Sequence, residues 1–172
     1  MRTIKFSMLG LSMLMILSAA SVFAQAWSFS DPNVDYSLDF SDAKWKMTVK
    51  PTAASTKTEF VYGDRRDGLL EVRKVDVQKG QTMTDIINDD EQKHRQFFAG
   101  YVAGRVEGFT GRSKGAIANF EYVTSGRNMS GRYYFLRPND TTVYILRFTG
   151  QADGMRALRV QTDQIARTFR VK

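Results

Sequence analysis

Residues 131–150 constrain the fold more than any other part of the sequence. They contain two aromatic-rich segments on either side of Pro138 and Asn139, residues that favour turns, and this is typical of a β-hairpin. In the second segment, residues 143–146 read Val-Tyr-Ile-Leu, so both sides of that strand are apolar. A strand of this kind has to be covered on both faces. The sequence therefore predicts a sheet with a further layer packed on each side.

Periodicity in the rest of the chain supplies the other elements. Apolar and polar residues alternate in six further segments, which are predicted strands: 36–40, 45–49, 60–62, 69–75, 101–109 and 114–124. Residues 82–99 and 153–168 instead repeat apolar residues every three or four positions, as amphipathic helices do. The order is four strands, a helix, four strands and a helix. Because short turns join the strands, we expect an α+β fold: a largely antiparallel β-sheet with helices packed on its faces, an α/β/α sandwich.

Local signals define the ends of the two helices. Thr82 or Thr84 can cap the first helix, Asp85 suits its positively polarised first turn, and Gly100 suits its end. In the last helix, one stripe should face the core: Met155, Leu158, Thr162, Ile165 and Phe169.

The N-terminus has the layout of a secretory signal peptide. Arg2 and Lys5 precede an apolar run, and Val22-Phe23-Ala24 or Ala24-Gln25-Ala26 supplies a small-x-small cleavage site. The run is shorter than the roughly 20 residues that a membrane-spanning helix needs. We therefore expect residues 1–25 to be a signal peptide, residues 26–172 to be one domain without a transmembrane span, and the protein to be periplasmic or extracellular.

Composition excludes several classes of chemistry. The chain has no cysteine, so disulfides, thiol catalysis and cysteine metal sites are excluded. The formal charge of +7 falls to +5 without residues 1–25, which hold Arg2, Lys5 and no acidic residue. This mild basicity favours anionic partners weakly, and we expect no nucleic-acid binding by an exported chain.

The hairpin carries the candidate binding residues. If residues 137–140 form a four-residue loop, Leu136 pairs with Thr141 and Arg132 with Ile145, which leaves an almost wholly apolar opposite face. Arg132, Tyr134 and Arg147 then share the other face. They could bind an anion through bidentate guanidinium contacts. The alternative is structural: each guanidinium lies over an aromatic ring and reaches water or a carboxylate such as Glu121.

No catalytic or metal site is predicted. His94, the only histidine, follows Asp90 by one helical turn, so the two could form a pair, but no nucleophile motif accompanies them. A hydrolase using this pair is the weaker alternative to a semi-buried histidine bonded to Asp90 or water. Neither the acidic run 89–91 nor the turn at residues 63–68 has calcium-loop spacing. We expect no cofactor.

Four stretches together resemble the PsbP-like domain family: "VDYSLDFSDAKWKM", "EFVYGDRRDGLLEVRK", "YYFLRPNDTTVYILRFTG" and "QTDQIARTFR". The resemblance covers residues 34–170. It implies the antiparallel sheet sandwiched by helices that this family shares with the nuclear-transport factor Mog. Family members are mostly exported accessory or binding proteins, and the plant members assist the oxygen-evolving complex of the photosystem. The resemblance carries no metal or partner residue over to this chain.

These observations together predict an exported, non-enzymatic accessory or binding protein whose partner is a protein or a cell-envelope component. The alternative is a small anionic ligand bound near Arg132, Tyr134 and Arg147.

Overall fold

The computed structural model describes residues 26–64 and 67–172, so the predicted signal peptide lies outside the described residues. Ten strands and three α-helices make up this part of the chain. The strands are β1 (Trp27–Ser30), β2 (Tyr36–Phe40), β3 (Trp45–Val49), β4 (Thr58–Tyr62), β5 (Gly68–Asp76), β6 (Val102–Thr110), β7 (Lys114–Thr124), β8 (Arg127–Asn139), β9 (Thr142–Gln151) and β10 (Arg170–Val171). The helices are α1 (Met83–Lys93), α2 (Ala152–Ala157) and α3 (Arg159–Thr168), with a 3-10 turn at Arg95–Phe97.

Seven strands form the main sheet in the order β3-β4-β5-β9-β8-β7-β6, and each neighbouring pair is antiparallel. β9 lies at the centre of this order, and its residues 142–146 are all buried. The prediction of a central strand covered on both faces is therefore confirmed, as is the predicted α+β class with helices on an antiparallel sheet.

A second, three-stranded sheet was not predicted. β2 was expected in the main sheet, but it pairs with β1 on one side and with β10 on the other. The sequence analysis treated residues 26–33 as a polar stretch, yet Phe29 in β1 is buried and Trp27 stacks on Phe40 with ring centroids 4.4 Å apart. Four residues are too few for alternation to reveal a strand. β1 is held by its ladder with β2 and by ring contacts with Phe40 and Phe60.

The two faces of the main sheet form two separate cores. One face packs against α2, α3 and the small sheet, and we call it the α3 face; its buried sheet residues include Phe60, Leu70, Val72, Phe109, Ile117, Tyr134, Leu136, Tyr144, Leu146 and Phe148. The other face packs against α1, and we call it the α1 face; its buried sheet residues are Ala116, Ala118, Phe120, Tyr133, Phe135, Val143 and Ile145. The face to which a residue of the central hairpin points therefore decides which of the two cores it adjoins.

The helices begin as predicted and end differently. Thr82 caps α1 in a capping box: its hydroxyl accepts from the backbone of Asp85, and the Asp85 carboxylate accepts from the backbone of Thr82. α1 ends at Lys93, before the predicted end at Gly100, because the chain tightens into the 3-10 turn. The predicted last helix is two helices with Leu158 between them, and all five residues of its predicted core stripe are buried.

Candidate functional site

The register of the β8–β9 hairpin separates the predicted site residues. Tyr133 pairs with Arg147, and Arg132 pairs with Phe148. Arg147 therefore shares a face with Tyr133, whereas Arg132 and Tyr134 are on the opposite face. The predicted pairing of Arg132 with Ile145 is wrong, and with it the prediction that all three candidates share one patch.

A bulge near the turn accounts for the different register. The strands continue to Asn139 and Thr142, so the turn is two residues shorter than predicted, and the ladder shifts between Leu136 and Asn139. Pro138 lies inside this shift, where its missing N–H costs no ladder hydrogen bond. Arg137 braces the bulge, because its Nη1 donates to the carbonyl oxygen of Gln81 at 2.5 Å.

Arg132 is buried on the α3 face and every nitrogen of its guanidinium has a partner. Nη1 donates to Oδ1 of Asn119 at 2.6 Å, Nη2 donates to Oδ1 of Asp163 at 2.9 Å, and Nε donates to the hydroxyl oxygen of Tyr134 at 2.7 Å. Its side chain is 8% exposed and that of Asp163 is 32% exposed. The Arg132 cluster, defined by these four residues, thus joins β7 and β8 to α3.

The hydroxyl of Tyr134 completes the same network. It donates to Asp163 and lies 3.0 Å from Oγ1 of Thr162 on α3. Burial, together with the hydrogen bond to Asp163, holds the pKa of Tyr134 above its ordinary value, so the phenol stays neutral. Contacts of Arg132 with Asp163 and Tyr134 outweigh burial and raise its pKa, so the guanidinium stays charged. The network holds α3 to the sheet and uses all three guanidinium nitrogens of Arg132.

Arg147 has a different environment on the α1 face. Its guanidinium is half-buried and lies over the ring of Tyr133, 5.0 Å from the ring centroid. Its Nε is buried and has no hydrogen-bond partner. In the ladder Arg147 pairs with Glu71 of β5. Burial raises the pKa of Tyr133 to about 12, so this phenol also stays neutral.

A groove of about 680 Å³ lies beside Arg147. It lies where the β4–β5 ladder ends, because β4 begins opposite Val72 and the later residues of β5 pair only with β9. We call it the arginine groove. Its lining comes from residues 53–57 before β4, from β5 and from β9: Ala53, Ala54, Ser55, Thr56, Lys57, Glu71, Val72, Arg73, Lys74 and Arg147. Sequence analysis named only Arg147 among these. The alternation of residues 69–75 puts Glu71 and Arg73 on one side of that strand, but only the register with β9 brings Arg73 near Arg147.

The predicted Asp90–His94 pair does not form. The carboxylate of Asp90 is buried and accepts from Nε of Arg95 at 2.9 Å, whereas Nε2 of His94 lies 2.7 Å from Nη1 of Arg73. A guanidinium can only donate, so His94 accepts through Nε2, which is therefore not protonated in this contact. Asp90 is thus paired with Arg95 and His94 with Arg73, so the two residues considered for a hydrolase do not contact each other.

The described residues contain neither a cluster of metal-binding side chains nor a membrane-spanning helix. No group of three or more histidine, aspartate or glutamate residues in residues 26–64 and 67–172 is arranged to hold a metal ion. In the same part of the chain, no helix has the length and apolar character needed to cross a membrane.

Comparison with known proteins identifies the architecture. No family model and no curated protein sequence matches the chain. Solved structures do match. CyanoP, the cyanobacterial PsbP from Synechocystis sp. PCC 6803, has a TM-score of 0.59 at 14% identity, covering 92% of this chain and 99% of CyanoP. LpqN, a protein of Mycobacterium tuberculosis involved in cell envelope biogenesis, has a TM-score of 0.57 at 12% identity, covering 86% of this chain and 91% of LpqN.

A eukaryotic protein has the same architecture. The Ran-binding protein Mog1p of Saccharomyces cerevisiae has a TM-score of 0.59 at 10% identity, covering 86% of this chain and 96% of Mog1p. Identities this low establish a shared fold and nothing finer. The chain has the PsbP/Mog1-like fold that its sequence resemblance implied.

Proposed function

We propose that this is an exported, non-enzymatic binding protein that engages a protein or cell-envelope partner through the arginine groove. One observation carries the proposal: the side chains of Arg73 and Arg147 line the same open groove, and among the described residues neither has an ion pair with a carboxylate within 4 Å. A guanidinium without a carboxylate partner can pair with an anionic group of a ligand. Within the described residues, the Arg73 guanidinium contacts the imidazole of His94 and not a carboxylate.

The fold comparisons favour a binding role. LpqN is described as involved in cell envelope biogenesis and Mog1p as a Ran-binding protein. Those roles belong to these proteins, and their fold supports many functions. They support the expectation that a partner, and not a chemical reaction, defines the function.

The sequence also predicted a small anionic ligand near Arg132, Tyr134 and Arg147. The half-buried guanidinium of Arg147 beside the groove favours an anion on the α1 face. Arg132 and Tyr134 use their polar groups to hold α3, so we leave them out of the proposed binding surface.

Site-specific photo-crosslinking in the producing cells tests the proposal. A photoreactive residue replaces exposed Ser55 at the rim of the arginine groove, and a control replaces exposed Val160 on α3. We expect a defined adduct from position 55 that disappears with Arg73→Glu, and no such adduct from position 160. The same adducts from both positions, or an adduct unaffected by Arg73→Glu, would contradict the proposal.

Export is tested separately on the unaltered protein. We expect the mature protein in the periplasmic or extracellular fraction, with a mass that lacks roughly the first 25 residues, because the leader has the signal-peptide layout. A cytoplasmic protein that retains its N-terminus would contradict this part of the proposal.

A further inference from the structure

The charges that line the arginine groove are unevenly compensated. Lys74 is paired with Asp35 at 2.5 Å, and Lys57 is paired with Glu71 at 3.4 Å. Among the described residues, neither Arg73 nor Arg147 has an ion pair with a carboxylate within 4 Å, and the carboxylates of Asp90 and Glu71 act on Arg147 only from a greater distance.

Arg73 and Arg147 leave neighbouring strands on the same face of the sheet, and each side chain is held in place. Glu71 pairs with Arg147 and Arg73 with Ile145 across β5 and β9, so Arg73 and Arg147 are diagonal neighbours on the α1 face. Tyr133 supports one guanidinium from below, and His94 fixes the other through a neutral nitrogen. Two like charges on one face repel each other, and an anion bound beside both would offset this repulsion.

We propose that the arginine groove binds a phosphate group. A phosphate monoester carries about −1.5 to −2 charges near neutral pH, which matches two guanidiniums better than a single carboxylate does. Each guanidinium presents a planar set of donors that fits phosphate oxygens in pairs. The hydroxyls of Ser55 and Thr56 border the same space and supply further donors.

The volume of the groove limits the size of the ligand. About 680 Å³ is far larger than a phosphate ion and falls in the range of small-molecule sites. The phosphate is therefore one part of a larger molecule, either a soluble phosphate ester or the headgroup of a membrane lipid. This inference rests on the proposed function, because it names the group that the same surface recognises.

Calorimetric titration of the purified protein with inorganic phosphate and with glycerol 3-phosphate tests the inference, with chloride at matched ionic strength as the reference. We expect millimolar or tighter binding, weakened about tenfold or more by Arg73→Gln and by Arg147→Gln, since each removes a charge-assisted contact. Arg105→Gln makes the same change in net charge at an exposed position on β6, and it should leave binding unchanged.

Arg73 is exposed, so Arg73→Gln keeps the test valid even if Arg147→Gln destabilises the protein. Binding no stronger than in chloride, or equal weakening by Arg73→Gln and Arg105→Gln, would overturn the inference. Flotation with phosphatidic acid and phosphatidylcholine vesicles then separates the sources, because phosphatidic acid presents a phosphate monoester. Capture by phosphatidic acid alone, lost in Arg73→Gln, identifies a headgroup, and phosphate binding without capture identifies a soluble ester. If position 55 gives an adduct but phosphate does not bind, this inference is wrong and the partner proposal stands. If phosphate binds but position 55 gives no adduct, only the partner proposal is wrong.

Discussion

Arg132 and Arg147 come from the two strands of one hairpin, yet they are used in opposite ways. Arg132 faces α3 and satisfies all three of its guanidinium nitrogens within the protein. Arg147 faces the α1 side, rests on Tyr133 and leaves Nε without a partner next to a groove. The difference separates two environments for a charge: Arg132 has complete internal contacts that join α3 to the sheet, whereas Arg147 lies at the edge of a groove with fewer internal contacts.

The largest contrast is expected when each arginine is replaced by methionine. Arg132→Met should lower the free energy of unfolding by about 3 kcal/mol, because Asp163 and Tyr134 lose their shared partner in a buried setting. Arg147→Met should cost about 1 kcal/mol or less, because it loses mainly a cation–π contact. Urea unfolding of both variants measures the two values.

The double variant Arg132→Met/Asp163→Leu is the matched control for that measurement. It should recover part of the loss, because an apolar pair leaves no charge uncompensated. If Arg132→Met and Arg147→Met lower the free energy of unfolding equally, the two arginines do not differ in their contribution to stability, and the contrast is wrong.

A smaller contrast is expected between the neighbouring tyrosines. The hydroxyl of Tyr134 contacts Arg132, Asp163 and Thr162, so Tyr134→Phe should lower the free energy of unfolding by about 2 kcal/mol. Tyr133→Phe keeps the ring under Arg147 and should cost about 1 kcal/mol or less. Urea titrations at pH 7 compare the two, and a greater loss for Tyr133→Phe would reverse the assignment.

Alkaline pH should give the smallest effect. The pKa of Tyr133 is raised to about 12, so its contribution to stability is complete below pH 10 and is lost as the pH rises towards 12, because the unfolded phenol ionises first. Tyr134 adds to the loss in the same direction. An ordinary tyrosine has a pKa of about 10, so the free energy of unfolding is measured between about pH 9 and pH 11. Over this range it should fall less steeply for Tyr133→Phe than for the unaltered protein. If the Tyr133→Phe variant gives the same slope as the unaltered protein, the Tyr133 hydroxyl ionises as readily in the folded protein as in the unfolded chain, and the prediction is wrong.

Local patterns in the sequence were sufficient for much of the fold. The cap of α1 needs only Thr82 and Asp85, and the buried stripe of the last helix follows from its spacing. The central position of β9 follows from its uninterrupted apolar run. Each of these features depends on residues within one or two turns of one another, which is the range in which periodicity is informative.

The candidate site depended on contacts that no local pattern contains. The bulge after Leu136 is braced by Arg137 reaching Gln81, a residue 56 positions away in the sequence. That bulge decides which layer Arg147 faces, since side chains alternate along a strand. Likewise, His94 contacts Arg73, which is 21 positions away in the sequence, and does not pair with nearby Asp90. The sequence therefore identified Arg147 as a candidate but could not identify Arg73, its neighbour in the groove.

The position of Phe169 has a consequence for how the chain acquires its structure. This fully buried ring stacks on Tyr36 in β2 and lies 4.9 Å from the ring of Tyr144 in the central strand. Early, middle and late parts of the polypeptide thus meet at one of its last residues. Because a chain is synthesised in N-to-C order, this core cannot close until residue 169 has emerged from the ribosome. Closure of the core is therefore a late step of folding, because its first and last segments have to be present together.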